Sequence, residues 1–284
     1  MNEMKKLAVF AAVSLLSMNA AANDDEYEDD NWYVRADAGI SFMQDQNTDF
    51  NVSGTYPSPD PNNPDFNFTY HYHYNTEFED AIVGQLGIGY IFNDWFRSDL
   101  TVAQDFERDL TGTCQNFNGT HDNNIGKNGT CVADTTDEVI HQVGDLNSSL
   151  MSSRLMLNGY LDFADLWTDE DEIAIFRPYV GFGIGVARNE LDDATIHKVF
   201  RDEGPNVSVI NGNTEYDFAW QAIGGVAFLL DDDLILDFAY TYADLGDAEF
   251  ENTVHTLGHN YQINGLSYDV DVQEVTVGLR FLFS

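Results

Sequence analysis

This chain has little positive charge. Twelve Lys and Arg face 49 Asp and Glu across 284 residues, a formal charge of −37. Gripping a phosphate backbone takes a basic footprint, so nucleic acid is excluded as a partner. Anionic surfaces repel such a chain, whereas divalent cations or a salty medium suit it. Cysteine is scarcer still. The two present, Cys114 and Cys131, have sixteen residues between them, which fits neither a metal-finger spacing nor a two-residue redox pair. Long apolar runs are missing. The stretch from Leu7 to Leu16 is too short to cross a bilayer as a helix, and nothing later offers an uninterrupted apolar helix. The mean hydropathy of −0.31 fits a soluble secreted β protein. It fits equally a sheet in which only alternate residues meet lipid.

Catalytic and metal patterns are thin as well. All seven histidines (His71, His73, His121, His141, His197, His255, His259) fall in segments predicted to be connections. Ser148, Ser149, Ser152 and Ser153 stand near His141 in sequence, yet a Ser–His pair needs a third orienting group, and none is identifiable. His71 and His73 share one side of an extended segment, and His255 and His259 are four apart. Either pair falls short of the three or four fixed ligands of a tight metal site. The acidic clusters at 169–172, 192–193 and 231–233 lack the glycine and terminal Glu of an EF-hand loop. The chain therefore reads as a non-enzyme with no cofactor, its acidic loops capable at most of weak Ca²⁺ or Mg²⁺ association.

What the chain does have is alternation. Val275, Val277, Leu279, Phe281 and Phe283 share one face of a strand, and Thr276, Gly278, Arg280 and Leu282 the other. One face suits lipid, and the opposite one carries an Arg that does not. Seven further candidate strands show the same period of two. They lie at 32–42, 81–92, 95–107, 148–162, 176–188, 218–229 and 234–245, with the eighth at 268–283. The eighth shifts phase at Gln273-Glu274, which reads as a bulge. Connections alternate in length. Residues 93–94 and 231–233 make short turns and 163–175 a medium one, while 43–80, 108–147, 189–217 and 246–267 are long. Short turns on one side and long loops on the other is the pattern of an antiparallel transmembrane up-and-down β-barrel, with short periplasmic turns and long extracellular loops. An even strand number puts both termini in the periplasm.

The start of the chain agrees. Residues 1–22 carry Lys5 and Lys6, an apolar stretch and Ala20-Ala21-Ala22, which is the form of a cleavable secretory signal. Residues 23–30 read as an acidic N-terminal tail, and 31–284 as a single barrel domain. Export delivers Cys114 and Cys131 to an oxidising compartment. A disulfide between them closes a polar loop, worth on the order of 3 kcal/mol against the open chain.

The faces opposite the apolar ones define the expected interior. They carry Arg35, Asp37, Arg97, Asp99, Asp105, Arg154, Asp162, Arg177, Asp237 and Arg280. An eight-stranded barrel is just wide enough inside for its own side chains, and a buried Arg there needs a carboxylate partner. The expectation is an Arg–Asp lattice that plugs the barrel. The alternative is a narrow channel lined by the same Arg residues. A second alternative is a lipid- or peptide-directed enzyme at the base of the loops.

Three stretches carry a family resemblance. The segment 31–42, Asn-Trp-Tyr-Val-Arg-Ala-Asp-Ala-Gly-Ile-Ser-Phe, resembles the first strand of the opacity-type, OmpA-like small outer-membrane barrels. The segment 177–187, beginning Arg-Pro-Tyr-Val-Gly-Phe-Gly-Ile-Gly, resembles their Pro-Tyr-x-Gly-x-Gly-x-Gly strand. Thr276, Gly278, Phe281 and Phe283 resemble the C-terminal assembly signal of outer-membrane proteins, except that Ser284 follows the aromatic that normally ends the chain. The resemblance implies an all-β, eight-stranded barrel in the outer membrane of a Gram-negative bacterium. It also implies variable surface loops and a role as a surface antigen, an adhesin or a membrane-stabilising protein. Its partners are then outer-membrane lipid and lipopolysaccharide, the barrel-assembly machinery and a surface ligand met by the loops, with the protein itself a monomer.

Overall fold

The computed structural model describes residues 31–56, 65–121, 127–130, 141–163, 176–200, 204–256 and 258–283. The expected signal (1–22), the acidic tail (23–30), Cys131 and nearly all of the medium turn lie outside the described residues. Among the described residues fifteen strands form one antiparallel sheet. They are β1 (Trp32–Met43), β2 (Gln46–Tyr56), β3 (Phe66–Phe78), β4 (Ala81–Asn93), β5 (Phe96–His121), β6 (Lys127–Thr130), β7 (His141–Asp162) and β8 (Phe176–Leu191). The remainder are β9 (Ala194–Phe200), β10 (Gly204–Ile210), β11 (Thr214–Asp231), β12 (Leu234–Glu249), β13 (Thr253–Thr256), β14 (His259–Asn264) and β15 (Ser267–Phe283).

Two cycles of strand pairing run through this sheet. In the first, β1, β4, β5, β7, β8, β11, β12 and β15 pair in that order. The last then pairs back with β1, from Trp32↔Phe283 to Met43↔Val272. The second cycle shares β5 and β7 and runs β5–β3–β2–β14–β13–β10–β9–β7. Here the sequence reading needs correction. The segments 43–80, 189–217 and 246–267, expected as long loops, fold into the hairpins β2–β3, β9–β10 and β13–β14. The third expected strand does not stop at 107, because β5 runs on to His121.

The two cycles differ in which face is apolar. On the first, the outward positions are apolar and about half exposed, among them Ile82, Val102, Leu157, Phe182, Phe218 and Val275. A continuous apolar belt of this kind is out of place in water. Its inward positions carry buried charged and polar side chains, with a smaller apolar cluster of Tyr160, Tyr179, Ile223 and Ile235 beside them. On the second cycle the inward positions are mainly apolar. Phe50, Val52, Tyr72, Tyr74, Ile196, Ile210, Val254 and Ile263 are buried together, and no water-sized space is left between them. Each such side chain contributes roughly 1.5–3 kcal/mol by leaving water.

Strand β15 shows the change of side most clearly. Val275, Val277 and Leu279 point outward and are exposed, with Glu274, Thr276 and Arg280 buried on the other face. Two residues toward the second cycle, Val270 and Val272 are buried inward, and Asp269 and Asp271 point out. Pairing with β1 is continuous through Gln273↔Phe42 and Glu274↔Ser41. The expected bulge at Gln273-Glu274 is therefore absent. The strand keeps its pleat, and its surroundings exchange polarity around it.

The tight turns follow local chemistry. The turn between β4 and β5 is Asp94–Trp95, one residue later than expected. Asn93 Oδ1 accepts from the N–H groups of Trp95 (3.1 Å) and Phe96 (2.8 Å), the Asx arrangement that stabilises such a turn. At the other end of the sheet, β12 shifts register against β15 between Asp244 and Asp247. Gly246 supplies the positive φ of 78° that this bulge uses.

Candidate functional site

The interior of the first cycle is an ionic lattice. Arg35 grips Asp37 with two bonds, Nε to Oδ2 (2.9 Å) and Nη2 to Oδ1 (2.8 Å), and reaches Asp99 at 3.3 Å. Arg280 takes Asp237 the same way, at 3.1 and 2.9 Å. Arg97 donates to Asp162 at 3.1 Å. Arg154 bridges Glu274 (2.6 Å) and Asp105 (3.4 Å). Fork-to-carboxylate pairs are the strong form of this contact, and burial makes each one costly to break singly. Nine of the ten expected residues are thus in ion pairs: Arg35, Asp37, Arg97, Asp99, Asp105, Arg154, Asp162, Asp237 and Arg280. Arg177 is the exception. It lies one residue from the start of β8, is only half-buried, and joins none of the ion pairs seen among the described residues.

Sequence reasoning missed the aromatic half of this lattice. The Arg97 guanidinium lies 3.9 Å from the Tyr160 ring centre and 4.7 Å from that of Tyr179, close enough for cation–π attraction. Tyr160 also accepts from Arg35 Nη1 (3.0 Å) and donates to Asp99 (3.2 Å). Tyr33 donates to Asp99 (3.1 Å), and Asn158 links Asp99 to Gln221. The inward parity of Tyr33, Tyr160 and Tyr179 is visible in the sequence, but parity alone does not pair a ring with a cation. Room for them comes from glycine. A Cβ on Gly181 would sit 2.6 Å from the Tyr160 ring, and one on Gly225 2.4 Å from that of Tyr179.

The C-terminal residues serve the closure. Thr276 faces Gly39, Gly278 faces Asp37, and Phe281 and Phe283 face Val34 and Trp32 across the β1–β15 pair. A Cβ on Gly278 would stand 1.9 Å from Asp37 Oδ1, so only glycine leaves that carboxylate free to meet Arg35.

The second cycle presents the other candidate surface. Cys114 on β5 is disulfide-bonded. Buried phenols line its interior, and burial pushes Tyr70 and Tyr268 up to about 12. Its outside carries the histidines. His73 Nδ1 meets Asp49 Oδ1 at 2.5 Å, His255 Nδ1 meets Asn260 Oδ1 at 2.5 Å, and His71 pairs with Asn51. Among the described residues no group of three or more His, Cys, Asp and Glu is placed to hold a metal ion. The four serines are occupied otherwise. Ser148 and Ser149 donate to Asp192, Ser152 to Asn189 and Ser153 to Gln104.

Below this outside face a collar of carboxylates marks the end of the apolar belt. Asp244 faces Asp271, and Asp247 faces Asp269. Partial burial raises Asp247, with its hydrogen bond to Asp269 and the charges of Asp269 and Asp217 adding to the shift. Asp271 is raised by partial burial and by Asp244. Trp220 donates its indole N–H to Asp244 at 3.0 Å, the placement of a ring at a boundary between apolar and wet surroundings.

A closed strand ring, apolar outside and ionic inside, is the geometry of a protein that crosses a membrane with strands. Residues 8–281 match the family model described as the outer membrane protein beta-barrel domain, and the chain belongs to that family. It is a protein of the Gram-negative outer membrane. A candidate adhesin of Rickettsia typhi is 26% identical over 281 residues, covering 98% of this chain and 99% of that one. The outer membrane protein PagN of Salmonella typhimurium is 26% identical over 204 residues, 70% of this chain and 72% of that one. Among solved structures, the outer membrane protein OprG of Pseudomonas aeruginosa covers 89% of this chain and 95% of its own, at 11% identity and a TM-score of 0.44.

Proposed function

We propose that the first cycle is an eight-stranded transmembrane barrel with a filled interior, and that the second is an extracellular tier through which the cell attaches to other surfaces. The observation that carries this reading is the exchange of polarity along continuous strands. A lattice of paired Arg and carboxylate groups occupies the interior where a channel would need water. Above it, an apolar core fixes hairpins that would otherwise be mobile loops into a rigid platform. A rigid platform loses little entropy on binding, so more of each contact appears as affinity. The naming of the Rickettsia typhi relative as a candidate adhesin supports the same use.

In this reading the turns at 94–95 and 232–233 are periplasmic. Thr276, Gly278, Phe281 and Phe283 are what the barrel-assembly machinery engages, and the barrel is a monomer in lipid and lipopolysaccharide. The carboxylate collar sits at the outer headgroups, where weak Ca²⁺ or Mg²⁺ association links it to lipid phosphates.

Two experiments test the reading. Planar-bilayer recording of the folded protein is expected to show no discrete openings; stable openings would make it a channel. Replacing β13–β14 by a short turn is expected to abolish attachment of expressing cells to a target monolayer while leaving barrel assembly intact. Undiminished attachment would overturn the adhesive role.

A further inference from the structure

One side of the outer tier is almost free of charge, in a chain with 49 carboxylates. The outward positions of four neighbouring strands line up in rows. Thr253, Gln262, Ser53 and Thr69 face one another across β13, β14, β2 and β3. Asn264, Asn51 and His71 form the next row. Asp49, His73 and Asn116 form a third, across β2, β3 and β5. Among the outward side chains of these rows Asp49 alone is charged. The carboxylates gather instead at the foot of the tier, at Glu77, Asp109, Asp269 and Asp271.

Two of the imidazoles make the same contact. His71 and His255 each direct Nδ1 at the Oδ1 of an Asn. An amide oxygen only accepts, so Nδ1 carries a hydrogen in both contacts. The neighbouring Asn and Gln amides both donate and accept. Strands stand about 4.8 Å apart and outward residues about 6.8 Å apart along each strand, so the face is a regular lattice of donors and acceptors.

We propose that this face is the docking surface of the tier and that its partner is an uncharged, hydroxyl-rich glycan; the proposal rests on the attachment role given above. Charge selects the partner. An anionic glycan meets the repulsion of a −37 chain and finds no Lys or Arg in these rows. A protein partner needs aromatic or Arg anchors, and the rings of Phe50, Tyr72, Tyr74 and Tyr261 are buried inside the tier. A neutral glycan needs what the face supplies, donors and acceptors without net charge. Weak contacts from many copies on one cell then add through multivalency.

The test applies the full, disulfide-intact protein in lipid nanodiscs to an array of neutral hexose and N-acetylhexosamine oligosaccharides, with sulfated and sialylated ones beside them. Two variants run in parallel, Asn51→Ala/His71→Ala/Gln262→Ala and the isosteric Asn51→Asp/Gln262→Glu. Barrel integrity is checked by heat-modifiable gel mobility. The expected result is binding of neutral oligosaccharides, weakened at least tenfold in both variants, and attachment to cells competed by the same sugars. Binding of anionic glycans alone, no glycan binding, or equal binding by the variants would overturn the proposal. If attachment persists without glycan binding, the glycan partner fails and the attachment role stands. If neither occurs, both fail.

Discussion

Arg154 on β7 reaches across the interior to Glu274 on β15, with 2.6 Å from Nη2 to Oε2. The contact closes the polar interior from above. The next inward residue on β15 is Val272, already in the apolar core of the second cycle. Arg154→Ala takes from Glu274 and Asp105 the guanidinium they share, and should cost about 3–5 kcal/mol. Urea unfolding in lipid vesicles checks the loss. Combining Arg154→Met with Glu274→Leu should recover part of it, because of the two carboxylates only Asp105 then remains without its partner.

Gly278 tests the closure of the ring. Gly278→Ala pushes a methyl group into Asp37 Oδ1 and displaces it from Arg35. Overpacking of this kind costs about 1–3 kcal/mol, so a smaller heat-modifiable fraction is expected on gels. An unchanged fraction would mean that β1 and β15 do not pair in this register.

Alkaline pH should open the outer tier before the barrel. Burial raises Tyr70 and Tyr268 to about 12, above the ordinary value near 10. Folding therefore favours their protonated form. That stability is complete below pH 10 and is lost as the pH rises from about 10 through 12. Ultraviolet titration of the 14 tyrosines should show an ordinary phase and a late one, the late phase coinciding with protease sensitivity of the hairpins. A single phase near 10 would contradict a packed tier.

How much of this was legible in the sequence depended on which rule each segment obeyed. The apolar-out strands of the first cycle show a period of two with one face plainly apolar, and β1, β4 and β8 were found nearly to their ends. The interior ion-pairing residues were found by the same parity except Glu274, which fell at the supposed bulge. The second cycle was not found. Residues such as Asn47, Asp49 and Asn51 alternate with Thr48, Phe50 and Val52 in the manner of a half-buried strand, but their surrounding Asn, Asp, Gly and Pro content reads as loop. Only long-range pairing, as of Gln262 with Ser53, gives such short strands a core. The supposed bulge at Gln273-Glu274 had the same cause, for an exchange of surroundings looks in sequence like an exchange of phase.

A charge on the belt should separate the two surroundings. Val277→Arg places a cation on the lipid face and should cost about 2–4 kcal/mol if the site lies near mid-membrane. Asp271→Arg, on the same face of β15 three outward positions away, should cost almost nothing. Assembly yield in lipid vesicles reads the difference, and equal yields would contradict the assignment.

The most direct measurement is the depth of those two positions. A nitroxide is attached at a cysteine replacing Val277 in one protein and Asp271 in another, with the native disulfide intact, in lipid vesicles. Oxygen should relax the label at 277 far more than a water-soluble nickel complex does, and the order should reverse at 271. The same preference at both positions would show that the strand does not leave the membrane between them, and would contradict the account.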